Sequence, residues 1–320
     1  MMDFRRIVVP SSDFRSQSQQ DARKVTQHTE SLFTGAMSAQ IFRDNFKLTT
    51  WLALGAFVQA LISFLLSPIY AAAPVSLLIA YRFIRAILMH KGIIHNSQMD
   101  GVLMGKFSVQ VPSKDGAPPK QASEQDLAVI ILAARSNHAL GIFGPGYRDV
   151  SNYINAMVAD LWDNADGYGC KCSAHPSTLP FSEHPAEAWI AVLGQTTWVA
   201  ANERYSNNQV MVLCYFRSME DLNSYAHGPL HRKAWAWWNG ITATHPHISI
   251  MHEVYNAPRN HWENIFINNH LTGIAGTQAT VNVDNHRVRP LVDASRGSLR
   301  TQMGRFCRGD GKENEVYGPE

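Results

Sequence analysis

Residues 210–238 read VMVLCYFRSMEDLNSYAHGPLHRKAWAWW, and this stretch decides the predicted fold. Its first seven residues, 210–216, are apolar and rich in β-branched and aromatic types, which predicts a buried strand. Ser218 then opens a Ser-x-x-acid sequence, in which the serine hydroxyl accepts a hydrogen bond from a free backbone N–H at a helix start. The stretch therefore predicts a strand followed by a helix over Met219–Trp238.

A similar strand and helix precede this pair. Residues 127–134 read LAVIILAA, and a continuous apolar run of this length indicates a central strand buried on both faces. Residues 147–162 carry apolar side chains at the three-and-four spacing of an amphipathic helix. Further strands are predicted over 196–204, 248–255 and 265–268. The pattern predicts an α+β fold, with two ferredoxin-like halves forming a dimeric-type α+β barrel.

An apolar helical hairpin is predicted before this domain. From Leu48 to Tyr81 the chain has no Asp, Glu, Lys, Arg or His, and two prolines lie within that run. A first helix over 48–67 is long enough to cross a hydrocarbon core of roughly 30 Å, whereas a second over 75–89 is shorter. Basic residues flank the outer ends at Lys47, Arg82, Arg85 and Lys91. The positive-inside rule then places both ends in the cytosol. A buried hairpin of a soluble protein, or an interfacial segment, is the alternative.

The chain is thereby divided into five segments. They are a polar N-terminal arm (1–47), a membrane hairpin (48–91), a linker (92–124), an α+β-barrel catalytic domain (125–276) and a polar C-terminal tail (277–320). The apolar stretch begins too far from the N-terminus for a cleavable signal, so we expect it to be retained. The predicted location is a membrane, that of the endoplasmic reticulum, with the catalytic domain facing the cytosol.

Charge and cysteine usage exclude some classes of function. The formal net charge is +2, without a dense Lys/Arg run, so nucleic acid is not an expected partner. Four cysteines do not form the pattern of a secreted disulfide framework, which favours a reducing compartment. Cys170 and Cys172 form a C-x-C step, which fits two positions on one face of a strand better than a metal site.

Histidines are the strongest candidates for chemistry. His227 and His231 lie four residues apart on the predicted helix, so they share one face and could hold one ion. Neither belongs to an H-E-x-x-H sequence, which excludes that class of metalloprotease. The alternative is a pair of structural histidines at the edge of the core, beside the tryptophans of the same helix.

His252 lies in the middle of a predicted strand. Alternation places Ile250, His252 and Val254 on one face, which is apolar apart from the imidazole. A buried imidazole left without a hydrogen bond costs on the order of 1 to 3 kcal/mol, so it needs a partner. A backbone carbonyl, an iron ion or a substrate can each fill that role, and the sequence leaves the choice open.

A resemblance to a known family enters here. The run Tyr215-x-Arg217-Ser218-x-x-Asp221-Leu222-x-x-Tyr225-Ala226-His227, with Pro229, His231, Trp237-Trp238-Asn239, His252-Glu253 and Trp262-Glu263-Asn264-Ile265, carries it. The chain resembles the fungal monooxygenase family typified by the enzyme of fumagillin biosynthesis, over roughly residues 107–273 and in its apolar hairpin. The resemblance implies an α+β-barrel monooxygenase fold and the tailoring of terpenoid or polyketide metabolites. Members of this fold class also work without metal, letting the substrate itself activate oxygen.

The same region is similar, more distantly, to the haem-containing aldoxime dehydratases. Met251-His252-Glu253-Val254 matches the strand that carries their proximal iron ligand, and Asn269-His270 matches a later acid-base histidine. The similarity implies haem at His252. The distal serine and arginine of that family have no clear counterpart in this chain, so dehydration of aldoximes is not implied.

Together these observations predict a membrane-associated monooxygenase-like enzyme of secondary metabolism that acts on an apolar small molecule. His252 is the predicted iron ligand or substrate-binding group, His270 a proton shuttle, and Arg217 a charge partner for a substrate or haem propionate. His227 completes the catalytic candidates. For Arg217, an exposed residue at a strand end is the alternative. Alternatives for the whole chain are a cofactor-free isomerase or cyclase, a haem dehydratase, or a non-catalytic tethered binding protein. The chain is also expected to form a homodimer.

Overall fold

A computed structural model of the chain describes residues 42–113, 116–163, 189–191, 209–277, 279, 281–283, 286–312 and 315. These residues form two compact units, one over 44–102 and a larger one from 103 onward. The predicted strand over 196–204 and the Cys170–Cys172 step lie outside the described residues.

The smaller unit is a helical hairpin, as predicted. Its helices are α1 (Leu48–Leu65) and α2 (Pro68–His90), and both are long and apolar enough to cross a membrane. The predicted turn over 68–74 is wrong, because α2 begins at Pro68 and runs through Pro74. Proline is favoured at the first helical position, where the missing N–H has no helical partner to lose. The second helix is therefore longer than the sequence indicated.

The larger unit mixes short and long elements. Its strands are β1 (Val102–Val109), β2 (Leu127–Ser136), β3 (Trp189–Ala191), β4 (Val210–Phe216), β5 (Ile248–Ala257), β6 (Phe266–His270), β7 (Val281–Val283), β8 (His286–Val288) and β9 (Leu291–Asp293). Its helices are α3 (Tyr147–Asp163), α4 (Met219–Ala226), α5 (Pro229–Ile241) and α6 (Gln302–Arg305). The α+β class is confirmed.

One four-stranded antiparallel sheet contains both predicted strand–helix pairs. Its order is β3-β4-β2-β5, and β2 pairs with β4 on one side and β5 on the other. The chain order β2-α3-β3-β4-α4-α5-β5 on such a sheet is that of a single ferredoxin-like unit. The prediction of two ferredoxin-like halves is therefore wrong for the described residues, because both pairs share one sheet. The central position of β2 was predicted correctly.

Helices α3 and α5 cover one face of this sheet. Ala134, Val150 and Ile248 are buried there, packed against Ile154, Trp237, Trp238 and Ile241. Residues two apart on a strand share a face, so the even-numbered residues of β2, β4 and β5 all point to the helix side. The odd-numbered residues point to the opposite side.

The helix predicted over Met219–Trp238 is instead two helices. The first, α4, ends before His227, and Pro229 opens α5. Proline disfavours helical backbone at the residue before it, which explains a break at Gly228. Ser218 caps α4 as predicted, its hydroxyl accepting from the Asp221 N–H at 3.1 Å.

A second sheet has the order β6-β1-β9. Its members β1 and β9 fall in segments that the sequence indicated to be a linker and a polar tail, so those structural expectations are corrected. In β1, Phe107 and Val109 are fully buried, and Phe107 stacks on Phe266 with ring centroids 5.2 Å apart. The Asn264 side chain accepts from the Val109 N–H at 2.7 Å and donates to its carbonyl at 2.9 Å.

Residues near the C-terminus are also bound to the body of this unit. The Arg305 guanidinium is nearly buried, and its Nε lies 2.6 Å from Glu263 Oε2. The Ser123 hydroxyl donates to the Arg305 carbonyl at 2.7 Å. This arginine-rich C-terminal segment therefore packs against the rest of the larger unit, because Arg305 has a charged partner in Glu263. The amino-acid composition of the segment does not indicate that partner.

Candidate functional site

The helix-facing side of the four-stranded sheet is open along its β5 edge. Ile250, His252 and Val254 project to this side from β5 and are exposed, although Ile248 before them is buried. The neighbouring β2 residues on the same face, Ile130 and Leu132, are half-buried; Ile130 pairs with Val254 and Leu132 with His252. These residues form an apolar surface with one imidazole in its centre, which we call the β5 groove.

His252 was expected to be buried on an apolar face of its strand, and that expectation of burial is wrong. The residue is exposed and lies on the helix side of its strand, because it shares the face of Ile248 and Ala134. No hydrogen bond joins its ring to another of the described residues. The backbone carbonyl considered as its partner is therefore not supplied by the part of the chain that the structure describes.

His231, in the first turn of α5, is the second imidazole of the site. It is half-buried, and burial is the main cause of a lowered pKa, with the neighbouring His227 and His252 imidazoles lowering it further. A hydrogen bond to the Ala226 carbonyl opposes the shift. A base whose charged form is disfavoured is neutral at pH 7 and can accept a proton.

His227 completes a three-histidine cluster made of His227, His231 and His252. It terminates α4, with Nδ1 2.7 Å from the Asn223 carbonyl oxygen. Since a carbonyl can only accept, Nδ1 carries the hydrogen in the neutral ring and Nε2 keeps its lone pair. The prediction that His227 and His231 share one helical face is wrong, because the helix breaks between them. The tertiary fold nevertheless places His231 near both His227 and His252.

Aromatic side chains, Tyr225 and Phe216, lie beside this cluster. The Tyr225 ring centroid lies 5.9 Å from that of His231 and 6.1 Å from that of Phe216. Its hydroxyl donates to the Met157 carbonyl of α3 at 3.4 Å. Tyr225 therefore connects α4 to α3 and limits the space around His231. Neither Tyr225 nor His231 was among the predicted catalytic residues, and the spacing of Tyr225, His227 and His231 is the signal that could have found them.

Arg217 forms an ion pair within the protein, which the sequence did not indicate. Its Nη2 lies 3.3 Å from Asp221 Oδ2, one helical turn later, and only 10% of its side chain is exposed. The alternative of an exposed arginine at a strand end is thus wrong, and the predicted role of Arg217 toward a ligand stays a prediction. In this structure the charge partner of Arg217 is Asp221, so the pair connects the end of β4 to the first turn of α4.

His270 lies apart from the three-histidine cluster in topology. It is the last residue of β6, in the three-stranded sheet, and it is exposed. The histidines that lower the pKa of His231 are His227 and His252, and His270 is not among them. The role predicted for His270 remains a prediction.

The opposite face of β5 carries a second polar pair. The Tyr255 hydroxyl donates to Glu253 Oε2 at 2.5 Å, and this hydrogen bond raises the pKa of Tyr255. On β4, burial raises the pKa of Tyr215 to about 12. Both groups keep their protons at neutral pH, so this face is a weaker candidate for acid-base chemistry than the three-histidine cluster.

A resident metal held by protein ligands alone is not indicated for the described ranges. Among them, no group of three or more His, Cys, Asp or Glu side chains could hold a metal ion. A haem needs fewer protein ligands than such a metal ion, since one imidazole can serve as its axial ligand. His252 fits that requirement, because its ring has no other described hydrogen-bond partner and lies among the aliphatic side chains Ile250, Val254 and Leu132.

Comparison with known proteins finds one matching family model and one related protein. The family model described as "Monooxygenase af470-like" matches residues 181–274, a segment that contains Arg217, all three clustered histidines and His270. The resemblance of this chain to that family is confirmed by the match and by the relative described next.

The relative is Monooxygenase af470 of Aspergillus fumigatus. It is 26% identical to this chain over 301 residues, which cover 92% of this chain and 99% of the relative. The two proteins therefore correspond along nearly their whole lengths, and the relative's name supports a monooxygenase-type function. No solved structure matches this chain.

Proposed function

We propose that this protein is a membrane-anchored monooxygenase that oxidises an apolar small molecule, of the terpenoid or polyketide type, in the β5 groove. The observation that carries the proposal is the position of His252, exposed in the middle of a half-open aliphatic surface, with the half-buried His231 near it. A groove with apolar walls and a few convergent polar groups is the usual form of a small-molecule site. The relative's name supports the reaction class.

The three histidines have distinct roles in this proposal. His252 holds the cofactor or the reacting part of the substrate, because its ring is exposed toward the groove. His231, neutral at pH 7, accepts or returns a proton. His227 keeps its Nε2 lone pair available because Asn223 holds Nδ1. Ile130, Leu132 and Val254 exclude water from the apolar part of the substrate.

Haem is the cofactor that we propose, with His252 as its axial ligand. When bound, haem supplies the activation of molecular oxygen. Arg217 is not proposed as a partner of a propionate, since Asp221 lies 3.3 Å from its guanidinium. Direct activation of oxygen by the substrate, without haem, would use the same groove and the same neutral His231.

An absorption spectrum of the detergent-solubilised full-length protein tests the cofactor. We expect a Soret band that is lost in His252→Ala and kept in His227→Ala, the matched control one helix away. If the wild type shows no band, incorporation of labelled oxygen from ¹⁸O₂ into terpenoid or polyketide substrates is measured without added metal. Turnover without a band retains the monooxygenase but rejects haem; neither band nor turnover, in a folded protein, rejects the proposed function.

The membrane part of the proposal places the hairpin in the endoplasmic reticulum, with the catalytic unit in the cytosol. Support comes from two exposed apolar helices and from basic residues at both outer ends, Lys47 on one side and Arg82, Arg85 and Lys91 on the other. Such an anchor would concentrate the enzyme where apolar substrates partition. Flotation of the full-length protein with microsomes tests this part.

A homodimer formed through β5 is also proposed. This ten-residue strand is at the edge of its sheet and is exposed from residue 249 to residue 256. It contains no Lys, Arg or Pro, the residues with which proteins usually protect an edge from pairing. Sedimentation of the solubilised protein should give a dimer that Val254→Lys dissociates. A monomeric wild type would contradict this arrangement.

A further inference from the structure

Each helix of the α1–α2 hairpin carries an aromatic residue and a basic residue close together near its outer end, away from the turn. Trp51 follows Lys47 on the first helix, and Tyr81 precedes Arg82 on the second. Trp and Tyr are enriched at membrane interfaces, and basic side chains lie just outside them. The pairs therefore indicate one common level, at which both helices enter the lipid.

Each whole helix is long enough to cross a membrane, but the part of each helix between this level and the turn is not. At 1.5 Å per residue, Trp51 to Leu65 spans about 21 Å and Pro68 to Tyr81 about 20 Å. A hydrocarbon core is about 30 Å thick. The two lengths agree with each other. Both of these parts would therefore end beyond the middle of the hydrocarbon core but before its far surface.

The tip of the hairpin has the composition of a lipid-embedded segment. Phe64 is 87% exposed, Leu65 71%, Ile69 73% and Tyr70 71%, and the tip carries no charge. A spanning hairpin would place these side chains in water on the far side. A contiguous apolar surface of this kind favours contact with lipid instead.

Two backbone N–H groups at the turn are satisfied internally, which lowers the cost of immersion in lipid. The Leu66 N–H donates to the Ile62 carbonyl at 2.8 Å, and the Tyr70 N–H donates to the Ser67 carbonyl at 3.0 Å. Pro68 has no N–H to satisfy. No unpaired backbone N–H is therefore left at residues 66, 68 and 70.

One polar side chain lies deep in the first helix, and it too has a partner. Gln59 Nε2 donates to the Ala71 carbonyl of α2 at 3.0 Å, and Ala71 is only 2% exposed. An amide in hydrocarbon is costly unless it is hydrogen-bonded, so this contact suits a position near the bilayer centre. It also fastens the two helices to each other below the tip.

We propose that α1 and α2 form a monotopic membrane hairpin, in which both helices enter from the cytosolic surface and the tip, residues 64–70, remains within the hydrocarbon. This inference rests on the membrane association proposed above and specifies its geometry. The ligand is the acyl region of a lipid bilayer, and the far leaflet's surface is not reached.

Labelling of single serine-to-cysteine variants tests the geometry in sealed microsomes. Ser67→Cys places a thiol at the tip, and Ser97→Cys places one beyond the basic border. Both are made in a full-length parent chain whose four native cysteines are replaced by alanine, because Cys307 is exposed and would itself react. With a membrane-impermeant maleimide, Ser97→Cys should be labelled in intact microsomes. Ser67→Cys should stay unlabelled there and after a pore-forming toxin opens the lumen, and it should react only in detergent.

Other labelling patterns overturn the inference. Reaction of Ser67→Cys after the pore forms would show a tip in the lumen, and reaction in intact microsomes would show a tip at the cytosolic surface. Failure of the parent chain to float with membranes contradicts the proposed membrane association instead, so the two failures are distinguishable.

A charge placed at the tip gives an independent measurement. Ile69→Lys should lower the carbonate-resistant membrane fraction several-fold, because the ammonium would lie in hydrocarbon. Leu48→Lys, beside the existing Lys47, is the matched control and should leave that fraction unchanged. An Ile69→Lys chain that stays fully membrane-bound would overturn the proposal.

Discussion

The two strands that flank β2 differ sharply on the same face of the sheet. On β4, Val212, Cys214 and Phe216 are buried, and burial raises the pKa of the Cys214 thiol to about 12. On β5, the corresponding His252 and Val254 are exposed. Since both strands pair with the same central strand, the difference comes from the helices, which cover the β4 side and leave the β5 side open. The β4 side therefore supports stability, and the β5 side is free for ligand chemistry.

The largest expected effect is the difference in unfolding free energy between truncating a buried β4 residue and truncating an exposed β5 residue. Phe216→Ala removes a side chain that is 1% exposed, and we expect a loss of about 3 to 5 kcal/mol in the free energy of unfolding. Val254→Ala, on β5, should cost under about 1 kcal/mol because the side chain already contacts water. Chemical denaturation measures both. Equal losses would show that the β5 groove is closed in solution.

The Arg217–Asp221 pair should give the next largest effect. Asp221→Ala leaves a guanidinium that is 10% exposed without this carboxylate, and we expect a loss of about 2 kcal/mol, less than for a fully buried pair. Glu220→Ala, in the same helical turn but exposed, should change stability by under about 0.5 kcal/mol. An Asp221→Ala protein of unchanged stability but weakened substrate binding would restore the ligand role first predicted for Arg217.

The smallest effect should appear in the pH dependence of stability. The folded pKa of His231 is lowered, so the unfolded chain, with a histidine pKa near 6.5, binds the proton first as pH falls. The contribution of His231 is therefore fully present above about pH 6.5 and is lost on acidification. His231→Gln should show a smaller drop in unfolding midpoint between pH 7.5 and pH 5.5 than the wild type.

His261→Gln is the control for this measurement, since His261 is exposed and its ring bonds only locally, to the Arg259 carbonyl at 2.9 Å. It should keep the wild-type pH dependence. An identical pH dependence in the wild type and His231→Gln would contradict the proposed burial of His231 beside the β5 groove.

Local patterns predicted the elements well where the residues themselves decide the structure. The strand over 210–216 and the Ser218 cap are confirmed, and the helix from Tyr147 was placed within one residue. The helix break at Pro229 was missed, although proline chemistry contains the signal. Strand β1 was missed because its partners lie more than 150 residues away, at Asn264 and β9.

The site was predicted in part. Alternation correctly grouped His252 with Ile250 and Val254, but it could not tell which side the helices cover, so the burial of His252 was predicted wrongly. The ion pair of Arg217 with Asp221 was not predicted, although both residues lie where the sequence indicated a strand end and a helix start. His231 was considered only as an ion ligand beside His227, because its nearness to His252 depends on how α5 packs against β5.

The sequence by itself determined the apolar hairpin with its basic borders, the α+β class and the resemblance to fungal monooxygenases, because each depends on residues close together in the chain. Only the tertiary structure decided that both strand–helix pairs share one sheet, and that His231 lies near both His227 and His252 at its open edge. Those facts depend on which strands pair and which face the helices cover, and such contacts join residues whose separation leaves no local pattern.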